Sequence, residues 1–330
     1  MDAKANPVGG AAPSAAAAAV ASAAEGRRAD GDAPLPGLML MAMVALAWGL
    51  HWPISKVAFA QIPPLSFRTF GIVIAGIVLL AICRLQGRAR GIPKGERGPL
   101  VISALLNITL FQATVAYGLY LMQASQAIII GYSYPVWVVI LGRVLFGERI
   151  TVPRVAALFF GWAALAMLFW PTGGSFDLPL MGTLVMVLNA FGWAAGTFYY
   201  KSRRWTLSTM EIVGWQMAIG SVPLVVGALM IESLPSPATL STNVVLAALY
   251  SFFIAQTLGH FAWFRALVYL SPVIAALISL ANPVVGVFAS VWIMGEPLTW
   301  RKLVALVFII ISLFIVVVGP AGMRALGFRK

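Results

Sequence analysis

The chain has 330 residues, of which 61% are apolar and only 10% charged, with a formal net charge of +12. A soluble domain carries about 25% charged residues, and one of this length cannot bury so much apolar surface and still cover itself with polar groups. That excludes a globular soluble enzyme and a disordered chain, and it makes the excess cations topology signals rather than nucleic-acid contacts.

Residues 1–36 stand apart from the rest. Ala11–Ala24 is nearly all alanine, and Pro34 and Pro36 follow. The stretch reads as a flexible cytoplasmic tail. A signal peptide is the rival reading, but an alanine h-region is only weakly apolar.

Ten apolar runs follow, near 38–59, 64–83, 100–120, 124–145, 154–171, 179–200, 209–230, 241–264, 271–293 and 301–319. Each is close to the ~20 residues a helix needs to cross a bilayer. Gln61-Ile62-Pro63-Pro64 and Leu234-Pro235-Ser236-Pro237 are turn signals between runs. Barrel strands would alternate in polarity and run about half as long. The expected fold class is therefore an all-α polytopic membrane protein with ten transmembrane helices.

With ten spans and a cytoplasmic N-terminus, the cations sort by side. One side holds Arg84, Arg88, Arg90, Lys94, Arg97, Arg143, Arg149, Arg154, Lys201, Arg203, Arg204, Arg265, Arg324, Arg329 and Lys330. The other holds only Lys56, Arg68, Arg301 and Lys302. This positive-inside bias places both termini in the cytoplasm. The expected location is the inner (plasma) membrane of a bacterium.

The chain also repeats itself. Phe146-Gly147-Glu148-Arg149-Ile150-Thr151 matches Met294-Gly295-Glu296-Pro297-Leu298-Thr299 at an offset of 148 residues. At that offset Pro135 meets Pro283, and Arg154 meets Lys302. Nearer the start, Trp48 and Lys56 match Trp193 and Lys201. Two five-helix units follow, 37–173 and 174–322, with a basic C-terminus over 323–330. Five is odd, so the second unit enters the membrane inverted, an arrangement common in secondary transporters with a midplane site between repeats.

These residues resemble the drug/metabolite transporter superfamily in its ten-helix EamA-type branch, over about residues 38–319. The resemblance rests on Ala47-Trp48-Gly49 with Lys56, Pro64 with Arg68, Pro135, Gly147-Glu148-Arg149-Ile150-Thr151, and the partners Pro283 and Gly295-Glu296-Pro297-Leu298-Thr299. It implies a carrier of small metabolites across the inner membrane, often an exporter of amino acids. The mixture of Trp, Tyr and His looks most like the aromatic amino-acid exporter group. Ala194 stands where strict repetition would put the partner of Gly49.

Intramembrane polar groups are costly unless they face protein or water, so they mark the expected pathway. Gln256, His260 and Trp263 share a face of helix 8, and His260 corresponds by repeat to Gln112 in helix 3. Asn189, Trp193, Gly196 and Tyr200 share a face of helix 6, and Trp48, Trp52 and Ser55 a face of helix 1. Asn107, Thr114 and Tyr117 add to helix 3. The expected substrate-binding set is His260, Gln256, Trp263, Trp193, Asn189, Gln112, Tyr117, Trp48 and Asn107. For Asn107 and Asn189 the competing role is interhelical glue. Trp215, Trp292 and Trp300 read as interfacial anchors. His51 points to another face from Trp52 and is a weaker candidate.

Pro135 and Pro283 each remove a backbone hydrogen bond and read as hinges, with Tyr134 and Asn282 aimed at the cavity. Glu148 and Glu296 lie at span ends beside cations and read as structural. The ten acidic residues and two histidines form no cluster for metal or hydrolytic chemistry. No metal and no cofactor are expected, and the chain is not expected to be an enzyme.

The cavity so inferred is aromatic, polar and almost uncharged, with Lys56, Arg68 and Arg265 placed near span ends. Phosphorylated cargo would want a mid-membrane cation, and a lipophilic cation would want a carboxylate in helix 1. What remains is a net-neutral amphipathic solute, an amino acid with an aromatic or apolar side chain. Its export would run by alternating access in a monomer or weak dimer, with the lipid bilayer and no nucleic acid as partners. Proton coupling uses an intramembrane Asp, Glu or His, and only His260 and His51 qualify. The expected mechanism is a facilitator, with proton antiport through His260 as the alternative. A membrane enzyme and a non-transporting scaffold are the remaining readings.

Overall fold

The computed structural model describes residues 34–87, 91–146, 152–169 and 179–325. Most of the alanine-rich tail, the junction holding Glu148 and Arg149, and the last five residues lie outside the described residues. Ten helical segments follow one another. They are α1 (Leu35–Ala58), α2 (Pro64–Leu85), α3 (Lys94–Leu121), α4 (Ala124–Gly131 and Tyr134–Phe146) and α5 (Val152–Phe169). The second set is α6 (Leu180–Ser202), α7 (Thr209–Ile231), α8 (Thr242–Tyr269), α9 (Pro272–Ile278 and Ala281–Met294) and α10 (Trp300–Ala325). Among the described residues, α1–α4 and α6–α9 are long and apolar enough to cross a membrane, and α5 contains the shorter apolar helix Val155–Ala164.

The packing has the symmetry of inverted repeats. The second half of α9 lies on α1, and the second half of α4 lies on α6. Likewise α8 packs on α1, and α3 on α6. The pairs α2 with α7 and α5 with α10 map onto themselves when the halves are exchanged. The fold is two inverted five-helix repeats, as the Gly-Glu-x-x-Thr match implied.

Helix starts follow from local chemistry. Prolines precede or open α1, α2 and α6, where a missing N–H costs nothing. Ser208 and Glu211 form a reciprocal capping box at α7. Glu232, beyond α7, accepts from the α2 backbone at Leu65 (3.0 Å) and Ser66 (2.7 Å), and from the Ser66 hydroxyl (2.6 Å). Glu296, beyond α9, accepts from the Ala124 N–H at 3.1 Å and pairs with Lys302 at 3.3 Å. This agrees with its structural reading. Glu96 accepts from the N–H of Thr206 at 2.9 Å and from its hydroxyl. Glu232 and Glu296 meet the partial positive charge of unsatisfied N–H groups at helix starts, Glu96 binds the loop just before α7, and all three tie one repeat to the other.

The two prolines interrupt their helices. α4 stops at Gly131 and resumes at Tyr134, just before Pro135. α9 stops at Ile278 and resumes at Ala281, just before Pro283. A proline ring displaces the carbonyl four residues back and disfavours helix at the preceding residue. The chain bridges the gaps with tighter bonds, Ser133 N–H to Ile130 C=O at 3.0 Å and Asn282 N–H to Ser279 C=O at 2.9 Å. The breaks are bonded to each other: the Tyr134 hydroxyl meets Ser279 Oγ and the Ala276 carbonyl, and the Asn282 amide donates to the Tyr132 hydroxyl.

Two features had no sequence signal. α3 widens to a π-helix over Leu105–Leu110, and α8 does so over Tyr250–Gly259. The repeat-equivalent helices thus share a distortion that is frequent at functional sites. Gly49 has a direct reason to differ from Ala194. A Cβ there would fall 2.7 Å from Val285 Cβ and 3.0 Å from the Asn282 carbonyl, where α1 crosses α9.

Candidate functional site

Four helices bring aromatic rings to the middle of the bundle. Trp48 of α1 stands 5.6 Å from Trp193 of α6, 5.1 Å from His260 and 5.8 Å from Trp263 of α8, centroid to centroid. Trp193 also meets Trp263 at 5.6 Å and Phe111 of α3 at 4.5 Å. The Trp48 indole N–H donates to the Ala255 carbonyl at 2.9 Å, inside the π segment of α8. A wider helical turn carries carbonyls off the usual i−4 pattern, and here one is used to fix a cavity wall. Gly259 lets the ring in, since a Cβ there would collide with Trp48 Nε1.

Two adjoining clefts open beside this cluster. One is lined by Trp48, Trp52, Phe111, Gly131, Tyr132, Tyr134, Asn189 and Trp193. The other is lined by Trp48, Trp52, Phe111 and Tyr132 again, with His51, Arg68, Gln256 and His260. They form one cavity with an aromatic end and a polar end. The break in α4 supplies Tyr132 to both clefts.

Of the expected site residues, Trp48, Trp193, Asn189, Gln256 and His260 line this cavity. Trp263 is fully buried behind Trp48 and Trp193 and supports the wall. Gln112 sits behind Gln256, and the two amides donate to each other at 3.2 and 3.3 Å. Asn189 is at the cavity edge, with its amide nitrogen held by the Phe111 carbonyl (3.1 Å) and Thr114 Oγ1 (2.8 Å). Asn107 is away from the clefts and bonds Ser103 Oγ at 3.1 Å and the Gly196 carbonyl at 3.2 Å, an interhelical tie. Tyr117 is half-buried and lines neither cleft.

One expectation is corrected. The cavity is not almost uncharged, because Arg68 lies in it. Its side chain is buried, and Nη1 stands 3.3 Å from His51 Nδ1. Arg265 instead is exposed, against the Tyr269 ring and hydroxyl. Sequence reading placed Arg68 at a span end because it follows Pro64 by one helical turn. Folding turns that turn inward, with Glu232 holding the helix start and α1 supplying His51. Tyr132 and Phe111 were also missed, since aromatics in apolar runs carry no signal of their facing.

A family model described as the EamA-like transporter family matches residues 35–170 and 180–318. The chain is 29% identical over 279 residues to the uncharacterized transporter YvbV of Bacillus subtilis, covering 84% of this chain and 90% of that protein. It is 25% identical over 295 residues to a probable amino-acid metabolite efflux pump of Escherichia coli, covering 85% and 94%. A solved crystal structure superimposes with a TM-score of 0.69 at 16% identity, covering 89% of this chain and 99% of its own. That likeness concerns the fold alone.

Proposed function

The chain belongs to the EamA-like transporter family, and from that premise we propose that it carries small amphipathic metabolites, amino acids first among them, mainly outward. The observation that carries this reading is the two-ended cavity. Trp48, Trp52, Trp193 and Phe111 offer an aromatic wall, and His51, Arg68, Gln256 and His260 a polar pole. An aromatic or apolar side chain gains by leaving water for the first, and polar head groups find donors and acceptors at the second. The similarity to a relative named as a probable amino-acid metabolite efflux pump supports the same class.

The proposed mechanism is alternating access between the repeats 37–173 and 174–322, with the breaks beside Pro135 and Pro283 as hinges. Tyr134, Ser279, Tyr132 and Asn282 join the two breaks, so motion at one is coupled to the other. The proposed setting is a bacterial inner membrane, with both termini cytoplasmic and the protein a monomer or weak dimer. Purified protein in liposomes loaded with labelled phenylalanine or leucine should release label faster than empty liposomes leak it. Release at the leak rate for the whole amino-acid set would overturn the proposal. The alternative of proton antiport is favoured by one observation: His260, a titratable side chain, lines the cavity.

A further inference from the structure

Arg68 is 4% exposed. A buried charge without a partner is expensive, and intramembrane arginines normally pair with a carboxylate or line a functional path. Among the described residues no carboxylate forms an ion pair with Arg68. Glu232 comes to the same helix turn but is committed to the backbone at Leu65 and Ser66. The contact Arg68 does make is to His51, through Nη1. A guanidinium only donates, so His51 presents a lone pair to it and leaves its positive charge whole. Arg68 Nε is buried with no hydrogen-bond partner. Nε–H is thus unused within the protein, and a guanidinium fork has the geometry that matches a carboxylate's two oxygens. Gln256 and His260 line the same end of the cavity.

We propose that Arg68, oriented by His51, is the anion-recognition residue of the central cavity, and that the cargo presents a carboxylate to it. The inference rests on the transport reading above and narrows it. An amino acid would enter with its carboxylate at Arg68 and its side chain along Trp48, Trp52 and Phe111. Amines lacking a carboxylate would be poor cargo, whatever their aromatic content. The charge is kept for recognition, so replacing Arg68 by an isosteric apolar residue removes a desolvation cost and does not destabilise the fold.

The test uses full-length protein and three probes of one shape: phenylalanine, 3-phenylpropionate without the ammonium, and phenethylamine without the carboxylate. In counterflow with labelled phenylalanine, 3-phenylpropionate should compete and phenethylamine should compete at least about tenfold less well, the size of a lost charge-assisted pair. Arg68→Gln should abolish that preference, Arg68→Lys should keep part of it, and Arg265→Gln should keep all of it. Arg68→Met should have a thermal midpoint at or above wild type while losing phenylalanine flux. If phenethylamine competes as well as 3-phenylpropionate, or Arg68→Gln keeps the preference, the subsite is wrong and the transport reading stands. If wild-type protein moves none of the probes, ligand-induced thermal stabilisation in detergent decides. Stabilisation by 3-phenylpropionate that Arg68→Gln loses supports the subsite, and its absence overturns it. An organic phosphate that competes better than any carboxylate also overturns the stated cargo.

Discussion

At the scale of single residues, helical spacing and burial of polar groups carried most of the site. Trp48, Trp193, Gln256 and His260 were placed by shared faces, and they do converge on the cavity. Spacing could not tell a wall residue from the one behind it, so Trp263 and Gln112 were named with the residues they support. Trp193→Ala, His260→Ala and Gln256→Ala should each lower phenylalanine flux at least about tenfold at near-normal membrane expression, on the scale of lost binding contacts in a buried site. Flux assays normalised to protein in the bilayer check this, and wild-type rates from all three would remove α6 and α8 from the pathway. Asn107→Ala should behave differently. Its bonds join α3 to α6 away from the cavity, so it should cost roughly 0.6 kcal/mol of stability and leave flux within about twofold. Arg68 was illegible for a physical reason. Linear position gives depth along a helix only to about one turn, and one turn separates a loop cation from a cavity cation.

At the scale of elements, the breaks in α4 and α9 were legible because proline acts through covalent geometry. The π segments of α3 and α8 were not, because no residue type enforces an extra residue in a turn. The carboxylates were legible as span-end residues, and so was the cation beside Glu296, which pairs with Lys302; the backbone partners of Glu232 and Glu296 were not, since they lie in the other repeat. Glu232 satisfies the start of α2 through three contacts, and Glu296 that of α4. Glu232→Ala and Glu296→Ala should each cost about 1–3 kcal/mol, the value of a lost charged cap. Thermal unfolding followed by size-exclusion of the soluble fraction should show lower midpoints and poorer expression for both. Unchanged midpoints would mean the clasps are ornamental to stability. Gly49→Val is the steric counterpart. Even a Cβ there presses on Val285 and the Asn282 carbonyl, so a branched side chain should part α1 from α9 and lower the midpoint further.

For the whole molecule, the repeat in the sequence and the exchange symmetry of the packing describe one object, and an odd number of helices per half makes that symmetry an inverted one. The same arithmetic places the cation-rich loops on one side, so a C-terminal reporter active only in the periplasm should stay silent. How transport is driven depends on which groups can carry a proton through the centre. Glu211, Glu232 and Glu296 are engaged at helix starts and Glu96 by the loop before α7, and none of the four lines the cavity. Among the described residues that leaves two imidazoles. His51 is engaged by Arg68. His260 packs against Trp48 and Trp193. The proposed mechanism is therefore a facilitator that lets cargo run down its own gradient, with the two halves rocking about the bonded breaks. Counterflow in liposomes with and without an imposed pH gradient should give equal plateaus. Net uptake above equilibrium under the gradient, lost in His260→Gln while downhill exchange survives, would make the imidazole the coupling group instead.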